Sequence, residues 1–253
     1  MDLIDPIDPV DVDMQLEALA DRYRRAGGYG IELLNLVGGK AEGLLDRLPD
    51  QVRSGLEQAT QRALQHATRV ANESRAVVPD QRGWLNSAVS AAMGAAGGIG
   101  GLPTALAELP VTTTLLLRVI QGVAKEKGFD PAEENVQFDC LRVFAAAGPL
   151  EADDGADLGF LSARVTLTGA ALQGLISRVS PRLATVLGQK LAAQTVPILG
   201  AVAGAATNYA YTSYYQEIAH VHFGLRRLAI DADVPLEELT ERLRQRVGGN
   251  LAA

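Results

Sequence analysis

The stretch PILGAVAGAATNYAYTSYYQEIAHVHFGLRRLAI, residues 197–230, decides the fold of this chain. It begins at a proline, contains no other proline, and carries small or apolar residues at helical spacing along its whole length. Strands seldom exceed about ten residues, so the stretch predicts one long helix over 197–229. A helix this apolar buries most of its surface and is expected at the centre of a bundle.

The rest of the sequence repeats this helical period, and alternating strand patterns are scarce. Helices are predicted at Val10–Arg25, 31–47, 50–73, 82–97, 110–127, 131–146, 156–178, 181–194 and 234–247. Prolines that fit a first helical position are Pro110, Pro131, Pro181 and Pro235, with Asp130 and Ser180 as N-caps and Gly128 as a C-cap. The sequence therefore predicts an all-α, single-domain bundle with closely packed, Gly/Ala-rich central helices.

The net charge of -7 is located at one end of the chain. Residues 1–21 hold seven acids and no base, and the remaining residues hold 23 of each. We expect a flexible acidic arm over 1–12, a helical domain over 13–247 and a flexible C-terminus over 248–253. The arm is either a solvated tail or a segment that binds a basic partner or covers its own domain. It lacks the features of a signal peptide.

Composition excludes several functional classes. An acidic balance argues against nucleic acid as a partner. One cysteine excludes a disulfide framework and a cysteine-rich zinc site, and it fits a reducing, cytoplasmic compartment. The uncharged runs 83–107 and 191–216 are long enough to span a bilayer, which needs about 20 apolar residues. Their Ala, Gly and polar content instead favours buried bundle helices, with shallow membrane contact as the alternative.

Two pairs of glycines have the spacing that lets helices approach closely. The pairs are Gly94 with Gly98 and Gly200 with Gly204, each four residues apart and separated by small residues. A close crossing of the two helices that carry them is therefore predicted.

The long helix also carries a stripe of residues on one face that begins with glycines and ends with polar and aromatic side chains. It consists of Gly200, Gly204, Asn208, Tyr211, Tyr215, His222 and Arg226. One interpretation places these Tyr and His side chains at the edge of a core. The other makes Asn208, Tyr211, Tyr215, His222 and Arg226, together with Arg118, a site for an anionic headgroup. No metal or cofactor is expected, because His220 and His222 diverge on a helix and His66 is remote.

No catalytic motif is present. The segment Val37–Ala41 and the glycines at 97–101 lack the spacing of nucleotide-binding loops. Cys140 is predicted to be a core residue. Arg118 is expected to pair with Glu108 or Asp139, or to bind an anionic ligand. A hydrolase that uses Asp139, Glu108 or His220 is the third functional alternative, although no constellation supports it.

Two sets of motifs resemble the conserved blocks of the EcsC family. The first set is Gly97-Gly98-Ile99-Gly100-Gly101-Leu102-Pro103, Glu108-Leu109-Pro110, Leu116-Leu117-Arg118-Val119-Ile120 and Ala124 to Gly128-Phe129-Asp130. The second is Val196-Pro197 with Ile198 to Asn208, followed by Ile218-Ala219-His220, His222-Phe223 and Arg226-Arg227-Leu228. The resemblance spans roughly residues 31–230, and Glu108 replaces the aspartate of the family's Asp-Leu-Pro.

The resemblance implies a bacterial helical protein, cytoplasmic or peripheral at the inner membrane, with no agreed catalytic residues. The family takes its name from a protein encoded beside an ABC transporter. Our leading hypothesis is a non-enzymatic accessory protein at the cytoplasmic face of the membrane, associated with such a transporter or with export. The alternative is a helical binding protein for a lipid or another amphipathic ligand.

Overall fold

A computed structural model describes residues 9–37, 46, 48–75, 109–144, 169–194 and 200–248. These residues form seven helices and no strand, which confirms the all-α class. The helices are α1 Pro9–Val37, α2 Asp50–Arg75, α3 Leu109–Glu126, α4 Glu134–Val143, α5 Gly169–Gln194, α6 Gly200–Asp231 and α7 Leu236–Gly248. The predicted helix at 82–97, Gly94, Gly98 and Glu108 lie outside the described residues.

α6 is the centre of the bundle, as its sequence predicts. It packs against α1, α3, α4, α5 and α7, while α2 covers α3 and α5. Tyr211, Tyr215 and Phe223 of α6 are among the largest fully buried side chains. The uncharged run 191–216 covers the first half of this helix, where Thr207, Asn208 and residues 210–215 are buried and Tyr209 is exposed. This part of the run is therefore bundle core.

α1 is longer than the sequence predicts. Pro9 opens the helix and Val12 is buried, and the division into arm, domain and C-terminus stays a prediction. The helix also continues through Gly27 and Gly28, where two separate helices were expected. Packing overrides the low helix propensity of glycine here, because Tyr29 lies edge-on against Tyr209 of α6 at 6.1 Å.

A second prediction is wrong at Pro181. The sequence suggested a new helix with Ser180 as its N-cap, but α5 runs unbroken through this proline. Ser180 Oγ donates instead to the carbonyl oxygen of Ile176, at 2.6 Å. An interior proline costs about 3 kcal/mol. Buried side chains on both sides of it offset that cost, including Ile176 and Leu183.

The C-cap of α3 is built as predicted, whereas the predicted N-cap of the next helix at Asp130 is wrong, because α4 begins only at Glu134. Gly128 has φ +83°, and its N–H donates to Lys125 O while Phe129 N–H donates to Ala124 O. These two bonds define a Schellman C-cap, which requires a left-handed residue and so favours glycine. The Asp130 carboxylate then accepts the Ala132 N–H at 2.9 Å, and α4 begins a turn later than Pro131, at Glu134.

Candidate functional site

The predicted stripe of α6 faces the interior of the bundle for most of its length. Asn208, Tyr211, Tyr215 and His222 are all buried. The Tyr211 hydroxyl donates to the Val186 carbonyl oxygen of α5 at 3.1 Å. The side-chain surroundings of positions 200 and 204 lie outside the described residues, as does the predicted crossing partner. A ligand role for Asn208, Tyr211 and Tyr215 stays a prediction.

The C-terminal end of the stripe, at His222 and Arg226, meets α4 at a cluster of charged side chains. Arg226 Nη1 donates to Asp139 Oδ2 at 2.7 Å, and Arg142 Nη1 lies 3.5 Å from Asp139 Oδ1. His222 Nε2 lies 3.6 Å from the same oxygen, beyond the length of a direct hydrogen bond. We call Asp139, Arg142, His222 and Arg226 the Asp139 cluster. It joins α4 to α6 across a largely buried junction.

Helical spacing explains why these four side chains meet. Asp139 and Arg142 are three residues apart on α4, and His222 and Arg226 are four apart on α6, so each pair shares one helix face. α4 is attached to α3 by the Gly128 turn. That turn places Phe129 under Arg226, whose guanidinium carbon lies 4.4 Å from the ring centroid.

The electrostatics of the cluster centre on one ionised carboxylate. Burial alone would raise the pKa of Asp139, but His222, Arg226 and Arg142 outweigh it and hold the pKa below its usual value. Burial also lowers the pKa of Arg142; Asp139 opposes this shift, and the charge of Arg226 adds to it. The two guanidinium groups are therefore close enough to repel each other and are held together by Asp139.

The edge of the cluster reaches solvent. The side chains of Asp139 and Arg226 are 15% and 22% exposed, whereas the His222 side chain is 2% exposed. Asp139 was one of two partners expected for Arg118, but it is instead bound by arginines of α4 and α6. Arg118 lies half-buried on α3, and its other expected partner, Glu108, lies outside the described residues.

His220 lies in a different environment from His222, as their spacing predicted. It is buried beside Arg22 of α1 and Lys127, and its Nδ1 has no hydrogen-bond partner among the described residues. Burial and the charges of Arg22 and Lys127 lower its pKa to about 4. Arg22 in turn donates to Glu217 at 2.9 Å. His220 is thus a neutral imidazole at the junction of α1, α3 and α6.

Lys190 is a site residue that the sequence analysis missed. Its side chain is fully buried in α5, and its Nζ lies 3.5 Å from Thr112 Oγ1 of α3. A lysine is rarely buried unless paired, so this position marks a polar region inside the bundle. The available signal was its place at the edge of an uncharged run. Arg142 and Phe129 were also missed, although Arg142 follows Asp139 at pairing distance along a helix.

The described residues contain no group of three or more His, Cys, Asp or Glu placed to hold a metal ion. None of the helices in the described ranges has the length and apolar composition needed to cross a membrane. Cys140 is buried in α4, as a core residue would be.

The arrangement defines an all-helical bundle protein with a partly exposed arginine–aspartate cluster between its longest helix, α6, and α4. The model of the EcsC protein family matches residues 41–228. Since this range is more than half of the chain, the chain belongs to the EcsC family. It matches no curated protein and no solved structure. α1 and α7 lie outside the matched range, although both pack against α6.

Proposed function

We propose that this protein is a non-enzymatic accessory protein of the cytoplasmic face of the membrane, which it contacts through an anionic group bound at Arg226. The observation that carries the proposal is the setting of this arginine. Its guanidinium is oriented by Asp139 on one edge and by the Phe129 ring on one face, yet its side chain is 22% exposed.

Such a setting suits recognition of a phosphate. A guanidinium carries five N–H donors in a fixed plane, and the hydrogen bond to Asp139 uses one of them. The guanidinium plane can engage phosphate oxygens, and its contact with the Phe129 ring already orders the side chain, which lowers the entropy cost of binding. Anionic lipids offer this group at the cytoplasmic surface, where each arginine contributes about 1 kcal/mol of attraction.

A flotation assay tests the membrane contact. The full chain is mixed at physiological salt with vesicles of phosphatidylcholine alone or of phosphatidylcholine with phosphatidylglycerol. We expect binding to the anionic vesicles only, and a loss of about fivefold in Arg226→Gln. Arg227→Gln is the matched control, because Arg227 is the next residue and is paired with Asp231. Equal losses in both variants, or no vesicle binding by the wild type, would contradict the proposal.

Association with an ABC transporter or with an export system is the finer part of this proposal. It rests on the chain's membership of the family, because the gene of the protein that named the family lies beside the genes of an ABC transporter. Affinity purification from detergent-solubilised membranes is the direct test. Enrichment of transporter subunits with the wild type, and their loss in Arg226→Gln but not in Arg227→Gln, is the expected result.

A second candidate function is binding of an amphipathic ligand inside the bundle. Lys190 favours it, because a buried cation beside the Thr112 hydroxyl is suited to an acidic headgroup whose chain lies among apolar helices. Native mass spectrometry of the purified protein tests this function. A retained lipid that is lost in Lys190→Met and kept in Lys125→Met, a change at an exposed lysine, would support it. A ligand-free wild-type spectrum counts against it.

A further inference from the structure

The Asp139 carboxylate occupies the place that the oxyanion of a ligand would take. Its two oxygens face three nitrogen-bearing side chains from two helices: Arg226 at 2.7 Å, Arg142 at 3.5 Å and His222 at 3.6 Å. Guanidinium pairs of this kind are the usual receptors for carboxylates and phosphates in proteins. The cluster is thus an anion site that the chain itself fills.

A phosphate group is better matched to these donors than the carboxylate is. It carries more acceptor oxygens and up to one more negative charge, so it can bond both guanidinium groups at once. Their repulsion, visible in the effect of Arg226 on the pKa of Arg142, makes a more highly charged anion favourable between them. The aromatic face of Phe129 would keep Arg226 in place while its anionic partner is exchanged.

Exchange is also sterically accessible. The Asp139 side chain is 15% exposed, so a rotation about its side-chain bonds moves the carboxylate toward water, where it is rehydrated. Asp139 is carried by α4, a helix of ten residues, and the Arg226 side chain that it would leave is itself 22% exposed.

We propose that Asp139 is an internal competitor for a phosphate-bearing ligand at Arg226 and Arg142, so that it sets the affinity of the site that the proposed membrane function uses. Binding exchanges one ion pair for another, and Asp139 returns to the arginines when the ligand leaves. The ligand class is a phosphate group, whether it is free or part of a lipid headgroup. A free phosphate or a monoester adds both charge and acceptor oxygens relative to Asp139, whereas a diester headgroup adds no charge and is the weaker ligand.

Phosphate titration of full-length variants tests this inference. Inorganic phosphate is titrated by calorimetry into the wild type, Asp139→Asn and Asp13→Asn, with chloride at matched ionic strength as the reference. We expect Asp139→Asn to bind phosphate at least about tenfold more tightly than the wild type does, and its thermal midpoint to rise with phosphate. Adding Arg226→Gln to Asp139→Asn should abolish the gain. Equal phosphate affinity in the wild type and Asp139→Asn overturns the inference.

The control at Asp13 makes the test specific. Asp13 also bridges two arginines, Arg242 and Arg246, but in the open at 58% side-chain exposure. Asp13→Asn should show no gain in phosphate affinity, since an anion in the place of the 58% exposed Asp13 carboxylate stays hydrated and is screened by salt. A gain equal to that of Asp139→Asn would mean that any vacated arginine pair suffices, which overturns the assignment.

Two further arms keep the inference separate from folding and from the membrane proposal. If Asp139→Asn does not fold, the arginine side-chain N–H resonances of the wild type are followed instead. Saturable movement of the Arg226 resonance with phosphate but not chloride supports the inference, and no movement overturns it.

Tighter phosphate binding by Asp139→Asn without vesicle binding by any variant would leave the inference standing while the membrane proposal fails. Vesicle binding by the wild type, with no change in phosphate affinity in Asp139→Asn, would support the membrane proposal and overturn the inference.

Discussion

Two aspartates of this molecule hold the same chemical position in opposite surroundings. Asp13 of α1 accepts hydrogen bonds from both Arg242 and Arg246 of α7. Asp139 of α4 pairs with Arg142 and Arg226, but its side chain is 15% exposed whereas that of Asp13 is 58% exposed. The hydrogen bond from Arg242 is the largest influence on the pKa of Asp13 and lowers it, whereas burial is the largest influence on the pKa of Asp139 and must be outweighed by His222, Arg226 and Arg142.

The difference shows that the number of ion pairs does not measure their importance. α1 carries several exposed pairs, but its apolar residues Leu16, Ala20 and Tyr23 are buried in the core. Leu19 also packs into the space that a side chain at Gly224 would fill. Exposed ion pairs contribute little to the free energy of unfolding, and salt screens them. At the α4–α6 junction, removing one partner leaves a charge that water cannot fully solvate.

The same substitution at both aspartates should separate the two regions most clearly. Asp139→Asn is expected to lower the free energy of unfolding by about 3 kcal/mol, because it leaves two arginines without their shared carboxylate. Asp13→Asn should leave the denaturation midpoint close to that of the wild type. Urea denaturation in phosphate-free buffer measures both. Equal losses would mean that burial does not distinguish the two sites.

Acid should reveal a further difference through His220. The pKa of this histidine is about 4 in the folded state, against about 6.5 for an unperturbed histidine. Between these values the unfolded chain binds a proton that the folded chain does not, so stability falls as the pH drops from 6.5 to 4. The loss should approach about 3 kcal/mol at pH 4.

His220→Gln should flatten this dependence, because the variant has no imidazole to protonate. Asp139 contributes little in this window, since its pKa is lowered and most of its contribution is lost as the pH falls below the unfolded pKa of about 3.9. Chemical denaturation at several pH values is the measurement. A wild-type profile that is flat between pH 6.5 and 4, or an unchanged slope in the variant, would contradict the assignment to His220.

The turn that positions the Asp139 cluster should be sensitive to one methyl group. Gly128→Ala forces a side chain into the left-handed region and is expected to cost about 1 kcal/mol. The added Cβ would meet Arg227 only at 4.0 Å, so the cost comes from the backbone rather than from a clash. Gly122→Ala is the control within α3, where a Cβ has open space and should stabilise the helix by up to about 1 kcal/mol. Thermal unfolding measures both variants. A change in stability of the same sign in both would contradict the capping role of Gly128.

Sequence alone could predict the class of the fold and some of the positions at which helices begin and end. Periodicity identified α6 and α2, and the residues around Gly128 identified the C-cap, because both signals are local. The unbroken paths of α1 through Gly27 and of α5 through Pro181 could not be predicted this way. Each depends on apolar contacts with helices distant in sequence, which outweigh local propensity.

The candidate site was predicted in part, for the same reason. Asp139, His222 and Arg226 were each singled out, the last two on one stripe of α6, but their meeting depends on how α4 packs against that helix. Arg142 was missed although it follows Asp139 at pairing distance, and the role of Phe129 was missed because its contact with Arg226 depends on how the turn after α3 packs against α6. Lys190 was missed because burial of a lysine has no local signature.

Salt should produce the smallest effect and the finest distinction between the two aspartates. At 1 M salt the screening length falls to about 3 Å, so charges around the exposed Asp13 interact little beyond direct contact. Any small stability difference between Asp13→Asn and the wild type at low salt should therefore vanish at high sodium chloride. The loss in Asp139→Asn should persist, since a buried cluster is screened much less. Urea midpoints of both variants at low and high salt measure this, and a salt-insensitive Asp13→Asn difference would place Asp13 with the buried charges.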